Sequence, residues 1–415
     1  MPGIFGQYLQ HMLRRLFANY LVLTGVLAHI ALAGVVLLWV YGQVDASGVI
    51  DEARRAVLGS LDGVQVTELA PGEPGAVNPA LLELPAGVWH KLNSTGAFER
   101  QAHGGAAFDS LRGRITLFGS DTHRRNWDNS VRFFDVSALR WSQSYPADDP
   151  STYRVNADGL AVAGDGGNEH PWAMHTFDAV EYDPLMDRLI VASYPAHMKP
   201  DKPWGFDKAF WRQIKRHPTW FYYIGEDRWE PMAGKAVLLF PYAAAFDPRR
   251  NEMIGVTENT FYALSGLPPR WQAIGKGPPN AWHTSATFDS DLDAVVMYGT
   301  NRRANTVWQY RRGEERARKM PTPGDRPPGG ESVPLVYHPG LQKVVALVVN
   351  RRTKRTETWL YATAADAWTR VGAADLPFDI GMNYDMVYDQ RHDLLWLVAN
   401  LPGDPVAVWA LRLQR

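Results

Sequence analysis

Short apolar segments that end in an aromatic residue followed by Asp recur along most of the chain. Six copies occur, one with His in place of Asp, at 106–109, 180–183, 244–247, 286–289, 335–338 and 386–389. A second apolar run follows each copy after about five polar or turn residues. Each pair of runs therefore predicts a tight β-hairpin.

Two further strands complete each repeat. The third is an aromatic segment at 131–134, 220–223, 260–263, 307–310, 358–361 and 408–411. The fourth begins at Trp141, Trp229, Trp271 and Trp368, with Ala317 at the corresponding place in one repeat. The recurring order predicts an array of four-stranded antiparallel units.

The fourth strand of the last repeat is missing from the C-terminal end of the chain. Its counterpart lies instead at 88–92, just before the first repeat. A strand from one chain end that completes the unit at the other end closes a ring, and closure removes exposed sheet edges. We therefore predict an all-β domain at 88–415, a six-bladed β-propeller whose last blade is closed by an N-terminal strand.

The repeat resembles those of Kelch propellers and of the propeller domain of the galactose oxidase family over roughly 88–415. The matching features are the four-stranded units, the pair Phe134-Asp135 and Trp141 six residues later. The chain departs from these families at their Gly-Gly pair, where it has Gly119-Ser120. The resemblance to the galactose oxidase family would imply a copper–radical oxidase, which uses a Tyr joined to a Cys. The chain has no Cys, so this reaction is excluded.

Residues 16–44 contain no charged side chain and are long enough to span a bilayer as one helix. Arg14 and Arg15 precede this run, so residues 1–15 are predicted to form a cytoplasmic tail. The alternative is a cleaved signal peptide with Ala31-Leu32-Ala33 as its cleavage site. Strong apolarity continues to residue 40, which favours an uncleaved anchor.

Residues 45–87 are predicted to be a stalk, with a short helix at 51–61 and a flexible Pro-Gly-rich spacer at 71–75. The exported propeller has no cysteine, from which we expect a bacterial inner-membrane protein with a periplasmic domain. The 43 basic residues are balanced by 44 acidic ones, so no nucleic-acid partner is expected.

Connections between second and third strands, and from a fourth strand to the next first strand, share one face of a propeller, here called the upper face. Three of these connections are long, at 143–174, 194–219 and 313–332. Long connections in a compact fold often carry function.

Candidate acid–base residues precede the first strands on the upper face: His103, His175, His283, Asn383 and Asp385. Together with polar residues of the first two repeats' loops they would bind a metal or act as acid and base, or satisfy loop backbone groups. These loop residues are Asp121, His123, Asp128, Asp165, Glu169 and His170. No recognisable metal-ligand spacing is present, and neither a metal nor another cofactor is predicted.

Five Trp residues also fall on upper connections rather than strands: Trp127, Trp172, Trp204, Trp211 and Trp282. They would stack on a ligand or partner, or pack the loops against themselves. The segment 207–216 predicts an amphipathic helix with an apolar stripe and a basic side that includes Arg212.

Two functions follow from these features. The first is a membrane-anchored module that presents its upper face to a protein or glycan of the cell envelope. The second is a carbohydrate-active isomerase, lyase or hydrolase with its site at the upper mouth. A compact axial pocket in which His103, His283, Asn383 and Asp385 converge as buried groups with perturbed pKa values would favour the enzyme. A broad, shallow, aromatic surface would favour the module.

Overall fold

The computed structural model describes residues 61, 63–99, 103–124, 127–164, 167–202, 205–241, 243–279, 282–382, 386–399 and 405–414. Among them, no helix has the length and apolarity needed to cross a membrane. The predicted tail at 1–15 and span at 16–44 lie outside the described residues and stay predictions.

The described chain is all-β and is built mainly from antiparallel sheets, numbered here in chain order. Sheet 1 comprises Gly105–Asp109, Arg114–Phe118, Arg132–Asp135 and Arg140–Gln143. Sheet 2 comprises Val180–Asp183, Arg188–Val191, Trp220–Tyr223 and Arg228–Pro231. Sheet 3 comprises Ala244–Asp247, Glu252–Thr257, Thr260–Ser265 and Arg270–Lys276.

The remaining sheets follow the same order of strands. Sheet 4 comprises Ser285–Asp289, Ala294–Tyr298, Val307–Arg311 and Arg318–Lys319. Sheet 5 comprises Leu335–His338, Lys343–Asn350, Arg355–Ala362 and Ala367–Arg370. Sheet 6 comprises Met386–Asp389, Leu394–Val398, Val408–Leu411, Trp89–Leu92 and Val66–Thr67. A small sheet of Arg154–Val155, Ala161–Ala163 and His170–Pro171 lies in the connection from sheet 1 to sheet 2, and the short helices are Pro79–Leu82 and Lys208–Trp211.

The first strands of sheets 1 to 6 contact one another in a closed circular order, and the first strand of sheet 6 contacts that of sheet 1. Four-stranded antiparallel sheets whose first strands meet in this way are compatible with a β-propeller. The hairpins predicted from the aromatic-Asp repeat are therefore confirmed as the first two strands of each sheet.

Sheet 6 joins the two ends of the described chain. Trp89 lies opposite Leu411 and Leu92 lies opposite Val408 in an antiparallel register. This confirms the predicted pairing of the N-terminal strand with the last strand.

The described residues of the predicted stalk pack against the sheets, and the Pro-Gly-rich spacer predicted at 71–75 is hydrogen-bonded to them rather than loose. Helix Pro79–Leu82 begins at Asn78, whose side chain accepts the Ala80 N–H at 3.0 Å. Leu81 has no exposed surface, and its carbonyl accepts a 2.8 Å hydrogen bond from Arg412. The Pro-Gly-rich stretch lies against the turn that contains Ser137 and does not form a loose linker, because Gly72 donates its N–H to the Ser137 carbonyl at 2.8 Å.

The repeated Asp fixes the turn of each first hairpin. Asp109 is fully buried, and its Oδ1 accepts the N–H groups of Leu111 and Arg112 at 3.1 and 3.0 Å. Such a side-chain cap satisfies turn donors that have no strand partner. The equivalent residues Asp183, Asp247, Asp289 and Asp389 also accept turn N–H groups.

Side-chain contacts near these turns link each sheet to the next on the face opposite the upper face, here called the lower face. Arg112 of sheet 1, for example, binds Asp187 of sheet 2 through two hydrogen bonds of 2.6 Å. The other links are Asn251 to Asp183, Arg250 to Asp293, Tyr337 to Asp291, His338 to Asp393, and Arg391 to the carbonyls of Ser110 and Leu111. The ring is thus tied at every sheet boundary.

Candidate functional site

Residues at equivalent places before the first strands line the upper mouth of the ring. His103, Phe177, His283 and Ser332 adopt positive φ angles of 65°, 49°, 52° and 54°. Backbone hydrogen bonds help to hold them, since Ser332 donates to the His283 carbonyl at 2.9 Å. Left-handed backbone at non-glycine residues is uncommon and concentrates at functional sites.

Four histidines meet at this mouth and are called the histidine cluster: His103, His123, His175 and His197. His103 stacks on His175 with ring centroids 4.4 Å apart, and His175 lies 4.2 Å from His197. His123 lies 3.8 Å from His197 and 4.7 Å from His175. Four imidazoles in mutual contact are an unusual concentration of one ionisable group.

Two adjacent sheets supply the cluster. His103 and His175 precede the first strands of sheets 1 and 2, as predicted for the upper mouth. His123 and His197 lie in single 3₁₀ turns, Thr122–Arg124 and Ala196–Met198, that follow the second strands of the same two sheets. Both kinds of upper connection therefore contribute ligands to one place.

The cluster brings together side chains that could hold a metal ion. The available ligand atoms of His123, His175 and His197 all lie within 4.8 Å of one another, and so do those of His103, Asp121 and His123. Asp121 Oδ1 is 3.8 Å from Nε2 of both His103 and His175. Zinc–nitrogen bonds of 2.0–2.1 Å place tetrahedral ligands about 3.3 Å apart, so the side chains would have to move closer together to hold zinc.

The buried histidines of the cluster are held in the neutral form that metals require. Burial, and then repulsion from the neighbouring histidines, strongly lowers the pKa of His175. Burial and the charges of His123 and Lys202 lower the pKa of His197 to about 4. Among the described residues, buried Nδ1 of His197 has no hydrogen-bond partner, and such an atom calls for an explanation.

Phe177 forms the floor of the cluster. Its ring lies 5.4 Å from His103, 5.7 Å from His175 and 5.9 Å from His283, and it stacks on Phe240 at 5.7 Å. Below it, the first strands of the six sheets enclose a cavity of about 590 Å³ that Phe177 also lines. The site is therefore closed by aromatic rings towards the axis, while His123 is exposed to solvent.

Asp178 and Glu181 line the cavity below this floor and serve the sheets. Asp178 accepts the Ala286 N–H at 2.8 Å, and Glu181 accepts the N–H of Phe246, both on first strands of neighbouring sheets. Burial raises the pKa of both carboxyl groups. These carboxyl groups accept backbone N–H groups at the inner edges of the neighbouring sheets, where there is no further strand to accept them. They are separate from the histidine cluster.

His283 lies beside the cluster, on the far side of Phe177. Its Nδ1 is 3.2 Å from Ser332 Oγ, and burial lowers its pKa despite the opposing charge of Glu331. The other two axial candidates, Asn383 and Asp385, lie outside the described residues, as does Trp204. Three of the predicted axial residues, His103, His175 and His283, are thus brought together at one mouth.

Most of the described upper-face tryptophans pack inside the loops. Trp172 has no exposed surface, and with Tyr153, Ala161, Ala163, Ala173 and Met198 it forms a small core, here called the loop core. Trp127 and Trp211 are partly buried against it, whereas Trp282 is 47% exposed beside His283 at 6.3 Å. Self-packing of the loops, one of the two interpretations of the sequence, accounts for three of the five.

The helix predicted at 207–216 is formed only at Lys208–Trp211, with Asp207 as its N-cap. Its predicted apolar stripe is present, because Phe206, Phe210 and Ile214 pack against the loop core. Arg212 follows the helix and is exposed. Met198 belongs to the same core, so these loops also fix the turn that carries His197.

His197 was not among the residues that the sequence singled out. It lies in an insertion whose basic and aromatic residues dominate the pattern, and no ligand spacing marks it. The chain matches no protein-family model, and no curated protein matches it either.

Proposed function

We propose that the chain is an anchored, extracytoplasmic six-bladed Kelch-like propeller with a metal-dependent active site at its upper mouth. The histidine cluster is the observation that carries the proposal. The closed order of first strands supports the blade assignment. The anchor at 16–44 and the periplasmic location belong to the proposal through the sequence.

Three histidines around an ion leave a fourth position for water or substrate, as in catalytic zinc sites. The ion would polarise an oxygen of the substrate and lower the pKa of bound water. His123, His175 and His197 would hold it, and Asp121 lies close enough to accept a proton or orient His103. We propose hydrolysis or elimination on a saccharide of the cell envelope as the reaction class.

Binding requires a small rearrangement whose cost the site can bear. Nε2 of His175 accepts the Thr122 N–H at 3.2 Å, and an ion held through this nitrogen would replace that hydrogen bond. A typical hydrogen bond contributes about 0.5–1.5 kcal/mol. A site that binds zinc with a Kd of about 1 μM gains about 8 kcal/mol, so the loss of one hydrogen bond would not prevent binding.

The competing hypothesis of a binding module rested on aromatic side chains presented by the upper loops. Trp172, Trp127 and Trp211 are instead engaged in or against the loop core. His103 and His283, two of the four residues expected to converge in an enzyme, lie on either side of Phe177. The neighbouring His175 and His197 have lowered pKa values, and these observations support the enzyme.

The test is zinc binding by the purified full chain in detergent, measured by competition with a chromophoric chelator. We expect one tight site in the wild type. His175→Ala should weaken it by more than the roughly 10–100-fold that follows loss of an outer-shell partner, because a direct ligand is removed.

His90→Ala is the matched control, because His90 lies on strand Trp89–Leu92 of sheet 6, where its ring nitrogens are 3.4 Å from Thr67 Oγ1 and 3.0 Å from the Pro85 carbonyl. It should bind zinc as the wild type does. Equal zinc affinity in all three proteins, or none in the wild type, would rule out the metal centre.

A further inference from the structure

The turn that carries His197 continues into a tight loop with two lysines, Lys199 and Lys202. Lys202 donates its N–H to the Lys199 carbonyl at 3.0 Å, and Phe206 donates to the Met198 carbonyl at 2.9 Å. Gly205 approaches so closely that a Cβ there would lie 1.7 Å from the Lys199 carbonyl oxygen. The position of Lys199 relative to His197 is therefore fixed by the backbone.

Lys199 lies on the aromatic wall that also contacts the histidine cluster. Its Nζ is 4.9 Å from the centre of the Tyr194 ring and 3.2 Å from the Tyr194 hydroxyl. The Tyr194 ring contacts Phe240 at 6.1 Å, and Phe240 contacts His197 at 5.5 Å and His175 at 5.8 Å. Tyr194 and Phe240 thus connect Lys199 to two of the candidate ligands.

Basic and acidic side chains near Lys199 and the histidine cluster do not balance one another. Lys202 has a carboxylate partner, Asp201, at 3.3 Å, but Lys199 has none in the part of the chain that the structure describes. Asp121 is the acidic residue found within the candidate ligand groups there. A divalent ion beside Lys199 would therefore leave the mouth positively charged, and such a field attracts anions.

We infer that the substrate of this site carries an oxyanion, a carboxylate, phosphate or sulfate group, which binds between the metal position and Lys199. This rests on the proposed function and adds the substrate class to it. Lys199 would act as a point charge held in place by Tyr194, and Lys commonly binds phosphate in this way. A neutral sugar would lack the charge–charge attraction to Lys199.

The experiment loads the full chain with cobalt instead of zinc and follows the visible absorption of the bound cobalt ion. D-Glucuronate, inorganic phosphate and sulfate are titrated separately, with D-glucose as the neutral match for glucuronate. We expect at least one anion to change the spectrum at concentrations at which glucose does not. The anion that acts at the lowest concentration identifies the source of the charge.

Lys199→Gln keeps a hydrogen-bonding side chain and removes the charge. It should weaken anion binding about 10-fold or more, the effect of losing a charged hydrogen bond. Lys208→Gln is the matched control, because Lys208 is exposed on the short helix of the same insertion. It should leave anion binding unchanged.

Equal effects of glucuronate and glucose, or equal anion affinity in Lys199→Gln and the wild type, would overturn the inference even if cobalt binds. Failure of cobalt to bind would refute the metal centre instead. In that case calorimetric titration of the metal-free chain with the same anions decides the inference. Absent binding, or binding unaffected by Lys199→Gln, would overturn it.

Discussion

Replacing Leu81 by Ala tests whether the segment before the first sheet is part of the folded body. Leu81 is fully buried and belongs to a core cluster with Leu84, Leu92 and Trp396. Its carbonyl bond to Arg412 uses the backbone, so the substitution leaves that contact in place. The change therefore reports on side-chain packing alone.

The expected cost is about 2–5 kcal/mol, the range for Leu→Ala at buried sites, where lost transfer free energy and a residual cavity add. The next residue, Leu82, provides a matched control because it lies in the same helix and is 45% exposed. Leu82→Ala should change the free energy of unfolding by no more than about 0.5 kcal/mol. Helix propensity changes equally in both variants.

The assay is urea unfolding of the purified full chain, followed by tryptophan fluorescence. The account predicts a clearly lower midpoint for Leu81→Ala and a midpoint near the wild type for Leu82→Ala. A flexible spacer would leave both midpoints unchanged. Equal midpoints for the two variants would refute the packing described for 63–87.

Three further predictions concern the loops, the axial carboxyl groups and the lower face. Trp172→Ala should destabilise the chain by about 3–5 kcal/mol in urea unfolding and weaken zinc binding through Met198, whereas Trp282→Ala should do neither. Burial raises the folded-state pKa of the Asp178 carboxyl group, so above about pH 4 the native state holds a proton that the unfolded state has lost. The free energy of unfolding should therefore fall as the pH rises from there, and Asp178→Asn should flatten this dependence. Asp187→Asn keeps a side chain suited to the left-handed backbone at this position, removes the charge of a partly exposed ion pair with Arg112 and should cost only about 1 kcal/mol, less at high salt.

The strands were predictable because each repeat carries its own local signal. In these hairpins the buried Asp that caps the turn, such as Asp109, directly follows an aromatic strand residue. The pair is therefore visible in the sequence of each such repeat. The closing strand at 89–92 was predictable by its displacement, since a ring lacking one strand must obtain it from the other chain end.

The packing of 63–87 was not predictable from composition. Its Pro and Gly residues are typical of linkers, and only the structure shows that Gly72 sits where a Cβ would collide with Ser137 Oγ at 2.5 Å. A parallel strand of two residues, Val66–Thr67, is likewise too short to produce a periodic pattern.

The site was half predictable. His103 and His175 lie at repeat positions next to first strands, so the topology placed them at the mouth. His123 and His197 lie in turns whose direction depends on the packing of Met198 into the loop core. Contacts between connections of different sheets have no sequence spacing, and for this reason the sequence named His123 and Asp121 as candidates but missed His197 and did not favour a metal.

Anomalous X-ray diffraction at the zinc edge from crystals of the zinc-loaded chain would test the central claim most directly. The account predicts an anomalous peak about 2.0–2.1 Å from nitrogen atoms of His123, His175 and His197. A peak elsewhere on the protein, or an empty histidine cluster in zinc-saturated crystals, would contradict it.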